Sequence, residues 1–205
     1  MQILNYVSFL LIILFLSSYF LKLAVLYKNY KIKANVLGKA GKEKNTHIIE
    51  LIVKISSFTG VCIWFLETVF SFTLAKFIRR FYFVNGFTYS GLFITALGVA
   101  FFMLAVVSMK SSWRVGIDKQ SKTALITGGI YKYSRNPAFV GFDFMFIGVF
   151  LTFPDILTVL VMTINMIAFH LLILQEERHL TEAFGKEYIQ YKQITPRYLF
   201  VKFNR

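Results

Sequence analysis

Tyr131-Lys132-Tyr133-Ser134-Arg135-Asn136-Pro137, two apolar runs over 138–153 and 156–174 parted by Pro154-Asp155, and then Gln175-Glu176-Glu177-Arg178-His179-Leu180 form the stretch whose reading decides the fold. Read as antiparallel helices in a bilayer, the two runs return their outer ends to one membrane face. Arg135 and the Glu176/Glu177 pair then become neighbours at a polar-apolar boundary, and that convergence is the candidate site. The first arm holds 16 residues, roughly 24 Å of helix, and carries Asp143. A shortened helix with an acid inside predicts that it does not face lipid on every side. The second arm carries Asn165 and His170. His170 stands two turns before Glu177 on a shared face, either as a packing residue or as a proton shuttle.

Outward from this hairpin the chain stays apolar. Residues of the apolar set make up 57% of it and charged ones 16%, with 24 Phe and 11 Tyr, which excludes an ordinary soluble domain. A hydrocarbon core of about 30 Å takes a helix of about 20 apolar residues, and further runs of that kind lie at 3–26, 48–75 and 87–109. The expected fold is all-α, a polytopic membrane helical bundle of about five transmembrane helices that includes the C-terminal hairpin, followed by a cytosolic amphipathic helix. Residues 1–109 form the N-terminal transmembrane helices. Residues 110–205 hold the hairpin, the tail and the chemistry.

Twenty-three Lys and Arg against 10 acids give a net charge of +13, a balance shared with nucleic-acid binders. The placement of the charges argues against such a partner. Six basic residues lie in 27–47, six in 110–137 and six in 178–205, whereas the intervening side carries Lys76, Arg79 and Arg80. This asymmetry follows the positive-inside rule and sets the three basic segments in the cytoplasm, with anionic lipid headgroups as the lysines' partners. Cys62 stands alone, so neither a disulfide framework nor a cysteine metal site is expected. With no basic n-region and no small-residue cleavage site, 3–26 reads as a retained span.

Several single features carry expectations of their own. The loop 27–47, basic and holding Gly38 and Gly41, reads as a solvated, mobile connector with a topological role. Glu50 and Lys54, four apart with the acid first, suit a helical pair near the headgroups. Glu67 either meets a partner or wet cavity inside the membrane or sits at its boundary. Gly91 and Gly98 predict a close helix-helix contact. The polar, aromatic segment 110–137 is too short to fold alone, so it packs on the spans or lines a pocket. Gly128-Gly129 is a turn or a cofactor loop. Beyond 175, Leu180, Phe184 and Tyr188 recur at four-residue steps, an amphipathic helix at the interface. Glu176 and Glu177 diverge by about 100°, so one can enter a pocket while the other bonds Arg135 or Lys132.

Over roughly 104–200 the chain resembles the isoprenylcysteine carboxyl methyltransferase and phospholipid N-methyltransferase superfamily of integral membrane enzymes. The resemblance rests on Leu125-x-Thr127-x-Gly129-x-Tyr131, on Arg135-Asn136-Pro137 where the family usually has Arg-His-Pro, and on Phe139 and Gly141. After the hairpin it rests on Glu176-Glu177-x-x-Leu180, Phe184-Gly185-x-Glu187-Tyr188, Tyr191 and Pro196. It implies S-adenosylmethionine bound at the cytosolic face and a lipophilic acceptor entering from the bilayer. It implies Leu125, Ile126, Gly129, Tyr131, Asn136, Pro137, Phe139 and Glu176 as cofactor-binding residues. Arg135 and Glu177 would support them and, with His170, stand closest to catalysis.

The chemistry suits that assignment. A sulfonium, an ammonium, a carboxylate and a ribose diol call for an acid, a base, backbone donors and aromatic walls. Glu176 suits the ammonium or the ribose, and Arg135 a carboxylate. Methyl transfer is an in-line displacement that needs alignment and exclusion of water. An amine or phenol acceptor adds the need for a base, with His170, Glu177 and Asp143 as candidates. Asn136 keeps the hydrogen bonding of the usual histidine but carries no proton. Two other readings stand beside this one: an NADPH-dependent sterol-type reductase of similar architecture, which needs a 2′-phosphate site, and a non-catalytic membrane interaction protein whose Arg135 and acidic pair form an interfacial salt bridge.

Overall fold

A computed structural model describes residues 2–81, 85–119 and 123–199. Six α-helices follow one another: α1 (Gln2–Tyr30), α2 (Lys44–Phe77), α3 (Asn85–Ser108), α4 (Pro137–Thr152), α5 (Ile156–Phe184) and α6 (Lys186–Ile194). Among the described residues no β-strand forms, only isolated bridges. α1, α2, α3 and α5 are long and apolar enough to cross a membrane, and α4 is a shorter apolar helix. The chain is a polytopic membrane helical bundle. The fifth expected crossing is thus a 16-residue helix, about 24 Å long, that packs into the bundle.

The turn between α4 and α5 shows why the apolar run breaks where it does. Asp155 caps α5, accepting from the backbone N–H groups of Leu157 at 2.9 Å and Thr158 at 3.0 Å, while its own N–H donates to Thr158 Oγ1 at 3.2 Å. This reciprocal cap satisfies groups that a helix start otherwise leaves bare. Pro154 before it cannot continue α4.

α3 and α4 meet backbone to backbone. Gly91 and Gly98 on α3 face Gly141 and Gly148 on α4, so that a Cβ on Gly98 would stand 2.5 Å from the Gly141 carbonyl oxygen and one on Gly148 2.5 Å from that of Gly91. Close approach of this kind is what associates helices where lipid surrounds them. Gly98→Ala is expected to cost about 1–3 kcal/mol, the range for overpacking, read as a lower thermal midpoint in detergent. Gly86→Ala, whose Cβ would meet nothing within 4 Å, is expected to leave the midpoint in place.

An aromatic column ties the helices together under the site. Phe15 packs on Phe102 and Phe142 with ring centroids 5.1 and 5.7 Å apart, and Phe142 stacks on Phe169 at 5.0 Å. α1, α3, α4 and α5 thereby share one core.

Two expectations are corrected at the basic end. The connector after α1 is not a solvated strand of loop. Val36 N–H donates to the Val115 carbonyl and Val115 N–H to that of Ala34, both at 2.9 Å, so the 34–36 and 113–117 segments form a joint cap. Glu50, fully buried, holds this cap: it accepts from Lys42 Nζ at 2.6 and 2.7 Å, from Gly38 N–H at 2.7 Å and from Ile117 N–H at 2.8 Å. Consequently Glu50 does not pair with Lys54. A carboxylate can take several donors at once, and two backbone N–H groups with a lysine outcompete one neighbour on an exposed helix face. Gly116, at φ 89°, lets the chain pass, since a Cβ there would stand 2.8 Å from Leu37 Cα.

At the other end Glu67 is also fully buried and accepts from Arg80 at 2.7 Å. Arg80 donates further to the Ser71 carbonyl and lies over the Phe153 ring. Glu67 thus has a partner, a half-buried arginine from just past the end of α2. Past residue 175, α5 continues unbroken to Phe184, so the acidic pair sits inside a helix. The amphipathic helix is α6, set off by Gly185 at φ 52°.

Candidate functional site

The segment before α4 is stitched to the chain's tail. Tyr191 Oη donates to the Tyr131 carbonyl at 2.6 Å, Arg135 N–H to that of Pro196 at 2.9 Å and Ser134 Oγ to that of Arg197 at 3.1 Å. Arg135 then reaches α5. Its Nε and Nη2 donate to Glu177 Oε1 at 3.2 and 2.7 Å, and its Nη1 donates to the carbonyls of Thr195 at 2.6 Å and Lys192 at 3.3 Å. Arg197 approaches the same carboxylate from the tail, Nε to Oε1 at 3.1 Å and Nη2 to Oε2 at 2.8 Å. Asn136 Nδ2 adds a donor to the Arg197 carbonyl at 3.2 Å and to Glu177 Oε1 at 3.5 Å. Glu177 is therefore a buried anchor between two guanidinium groups.

Its neighbour points elsewhere. One residue earlier on a helix is about 100° around the axis, which turns Glu176 into a cavity of about 560 Å³. There it makes no hydrogen bond or ion pair among the described residues. Trp113, Leu125, Ile126, Tyr131 and Asn136 line this cavity with Glu176, together with the aromatic side chains of Phe15, Phe58, Phe102, Phe139 and Phe142. Arg114 and Asp118, also at the wall, are paired at 3.3 Å. Burial, and then the Glu176 carboxylate, hold the Tyr131 phenol well above its usual range, and burial with Glu177 does the same for Tyr188. Both are neutral phenols at physiological pH, able to donate a hydrogen bond.

Of the residues expected at a site, Leu125, Ile126, Tyr131, Arg135, Asn136, Phe139 and Glu176 share this cavity. Gly129 forms the 3-10 turn beside it at φ 62°, and Pro137 is the buried first residue of α4. Glu177 stands behind the wall. His170 lies outside the lining, on the far side of α5, where its Nδ1 meets Tyr198 Oη at 2.7 Å. Asp143 likewise stands outside the lining, with one buried oxygen lacking a partner among the described residues. Residues that the sequence reading passed over also line the cavity: His179, Tyr19, Asn35 and Lys54. His179 was within reach, since it follows Glu176 by three and so shares its helix face. Asn35 and Tyr19 carried no such signal.

These features define a class: a helical membrane protein with a charge-lined cavity that runs from its basic end into an apolar interior. Residues 86–187 match the phospholipid methyltransferase family, and the chain belongs to that family, within the superfamily that also holds the isoprenylcysteine carboxyl methyltransferases. The match begins with α3 and ends in α6, about half of the chain. No curated protein matches the chain.

Proposed function

We propose that the chain transfers a methyl group from S-adenosylmethionine to a lipophilic acceptor drawn from the bilayer, with the basic end on the cytosolic side. The observation that supports this most is the cavity itself, which joins an unpartnered carboxylate to an aromatic interior without a break. The donor supplies an activated methyl carbon when bound. Glu176 accepts hydrogen bonds from its ammonium or ribose hydroxyls, and Tyr131 and Phe139 wall it in. Arg135, with Nε and both terminal nitrogens engaged by Glu177 and the tail carbonyls, serves as a positioning residue. It keeps Asn136 and the start of α4 in place. The apolar part of the cavity keeps water from the reacting atoms, which for an in-line displacement is the main service a protein renders. Where the acceptor is an amine, His179 is at hand to take its proton.

Binding of S-adenosylhomocysteine to the detergent-purified protein, read by titration calorimetry, tests this. Glu176→Gln is expected to weaken binding by about 1–3 kcal/mol, the worth of a hydrogen bond to a charged group. Unchanged affinity would remove Glu176 from the donor site. A thermal midpoint that rises with NADPH and not with S-adenosylhomocysteine would favour the reductase reading instead.

A further inference from the structure

The cavity wall reaches the outside of the bundle: Phe20 on α1 and Phe58 on α2 both line it, yet they are 60% and 72% exposed, on the flank of two spans that hydrocarbon surrounds. Toward the basic end the lining turns polar with Tyr19, Asn35, Lys54 and Ser57. Asn35 Nδ2 donates to Tyr19 Oη at 3.3 Å. α2 kinks at Phe70, and its straight part from Lys44 to Val69, about 39 Å, overruns a core of about 30 Å by roughly 10 Å. Lys54, roughly 15 Å along from the basic start of α2, therefore lies near the inner edge of the hydrocarbon.

A lysine at this depth is costly without a partner or a route to the headgroups. The acid one turn before it, Glu50, is committed to Lys42 and two backbone N–H groups. Asp118 is paired with Arg114, and Glu177 with Arg135 and Arg197. Lys54 thus makes no ion pair among the described residues, and neither does Glu176, farther along the same cavity. One unmatched acid suits the cationic methyl donor. One unmatched cation at the inner edge of the hydrocarbon asks for an anion.

We propose that Lys54 binds the anionic headgroup of a membrane lipid whose chains lie between α1 and α2, so that the site selects anionic over neutral lipids and sets the headgroup's depth. α1 and α2 precede the family match at 86–187, so this selection belongs to the other part of the chain. Calling that lipid the methyl acceptor rests on the reading above; its binding does not.

Trp113 lines the cavity, 5.8 Å from the Tyr19 ring, so its fluorescence reports occupancy. Trp64→Phe removes the other of the two tryptophans. In neutral maltoside micelles with no methyl donor, bromoacyl phosphatidic acid is expected to quench Trp113 at a mole fraction about fivefold lower than bromoacyl diacylglycerol, the worth of one lysine at an anionic surface. Lys54→Met is expected to erase the difference and Lys54→Arg to keep it, with millimolar inorganic phosphate failing to compete. A difference that persists in Lys54→Met, equal quenching by both lipids in the parent, no quenching by either, or competition by free phosphate would each overturn the proposal. Should Trp64→Phe not fold, the same titrations on the two-tryptophan protein compare Lys54 with Met directly. A parent protein that binds S-adenosylhomocysteine but does not discriminate between the two lipids would sink the role of Lys54 and leave the methyl-transfer reading standing; one that discriminates but does not bind S-adenosylhomocysteine would do the reverse.

Discussion

Glu177→Ala is expected to lower the stability of the detergent-solubilised protein by about 3–5 kcal/mol, the cost of removing one partner from a buried ion pair. The reason lies in what the substitution leaves behind. Arg135 is only 7% exposed at its side chain, so its guanidinium would face a low-dielectric interior with two of its bonds gone. Arg197, 31% exposed, can turn to solvent, and its share of the loss is small. Asn136 would lose one acceptor and keep the other. The damage should therefore concentrate where Arg135 holds the tail carbonyls and the entry to α4. Denaturant titration gives the magnitude, and hydrogen exchange should show protection falling at Ser134–Asn136 and Thr195. Glu177→Gln keeps the shape and an acceptor oxygen, and is expected to recover part of the loss. If instead Glu177→Ala unfolded at the parent's midpoint while donor binding vanished, Glu177 would be a ligand and not an anchor.

The contrast between the two acids shows what a linear sequence reveals here. That the pair ends a membrane-crossing helix, and that its members diverge around it, was legible, because helical geometry is fixed by residue spacing alone. Which of them enters the cavity depends on the rotation of α5 against α4, and that follows from Phe139, Phe142 and Phe146 packing on Phe169. No local pattern encodes it. The shared face of His170 and Glu177 was equally legible; that this face looks away from the cavity was not. Long apolar runs made α1, α2, α3 and α5 plain, since hydrocarbon thickness dictates their length, and paired glycines pointed to a tight helix contact now found between α3 and α4.

The cap was hidden for a different reason. Glu50 meets Lys42 eight positions back, across a loop, and Ile117 sixty-seven positions on, so neither contact lies at a helical spacing. Lys54, at the favourable spacing, was the natural partner to expect, and only the competing donors overrule it.

Glu50→Gln carries the second large effect, again about 3–5 kcal/mol, but with a different pattern. Its carboxylate accepts from a lysine whose side chain is 11% exposed and from two backbone N–H groups on separate segments. An amide offers one oxygen in place of two, and its nitrogen repels the Lys42 ammonium. The 34–36 and 113–117 segments should part, with hydrogen exchange rising at Val36, Val115 and Ile117 while Ser134–Asn136 stay protected. Replacing both charges, Lys42→Met with Glu50→Leu, relieves the unpaired ammonium. It still leaves Gly38 and Ile117 without an acceptor, at about 1–3 kcal/mol for each orphaned group. The double variant is therefore expected to regain only part of the stability. Full recovery would mean that the cap is held by the lysine alone, and that Glu50 does not fasten the roof of the cavity through the backbone.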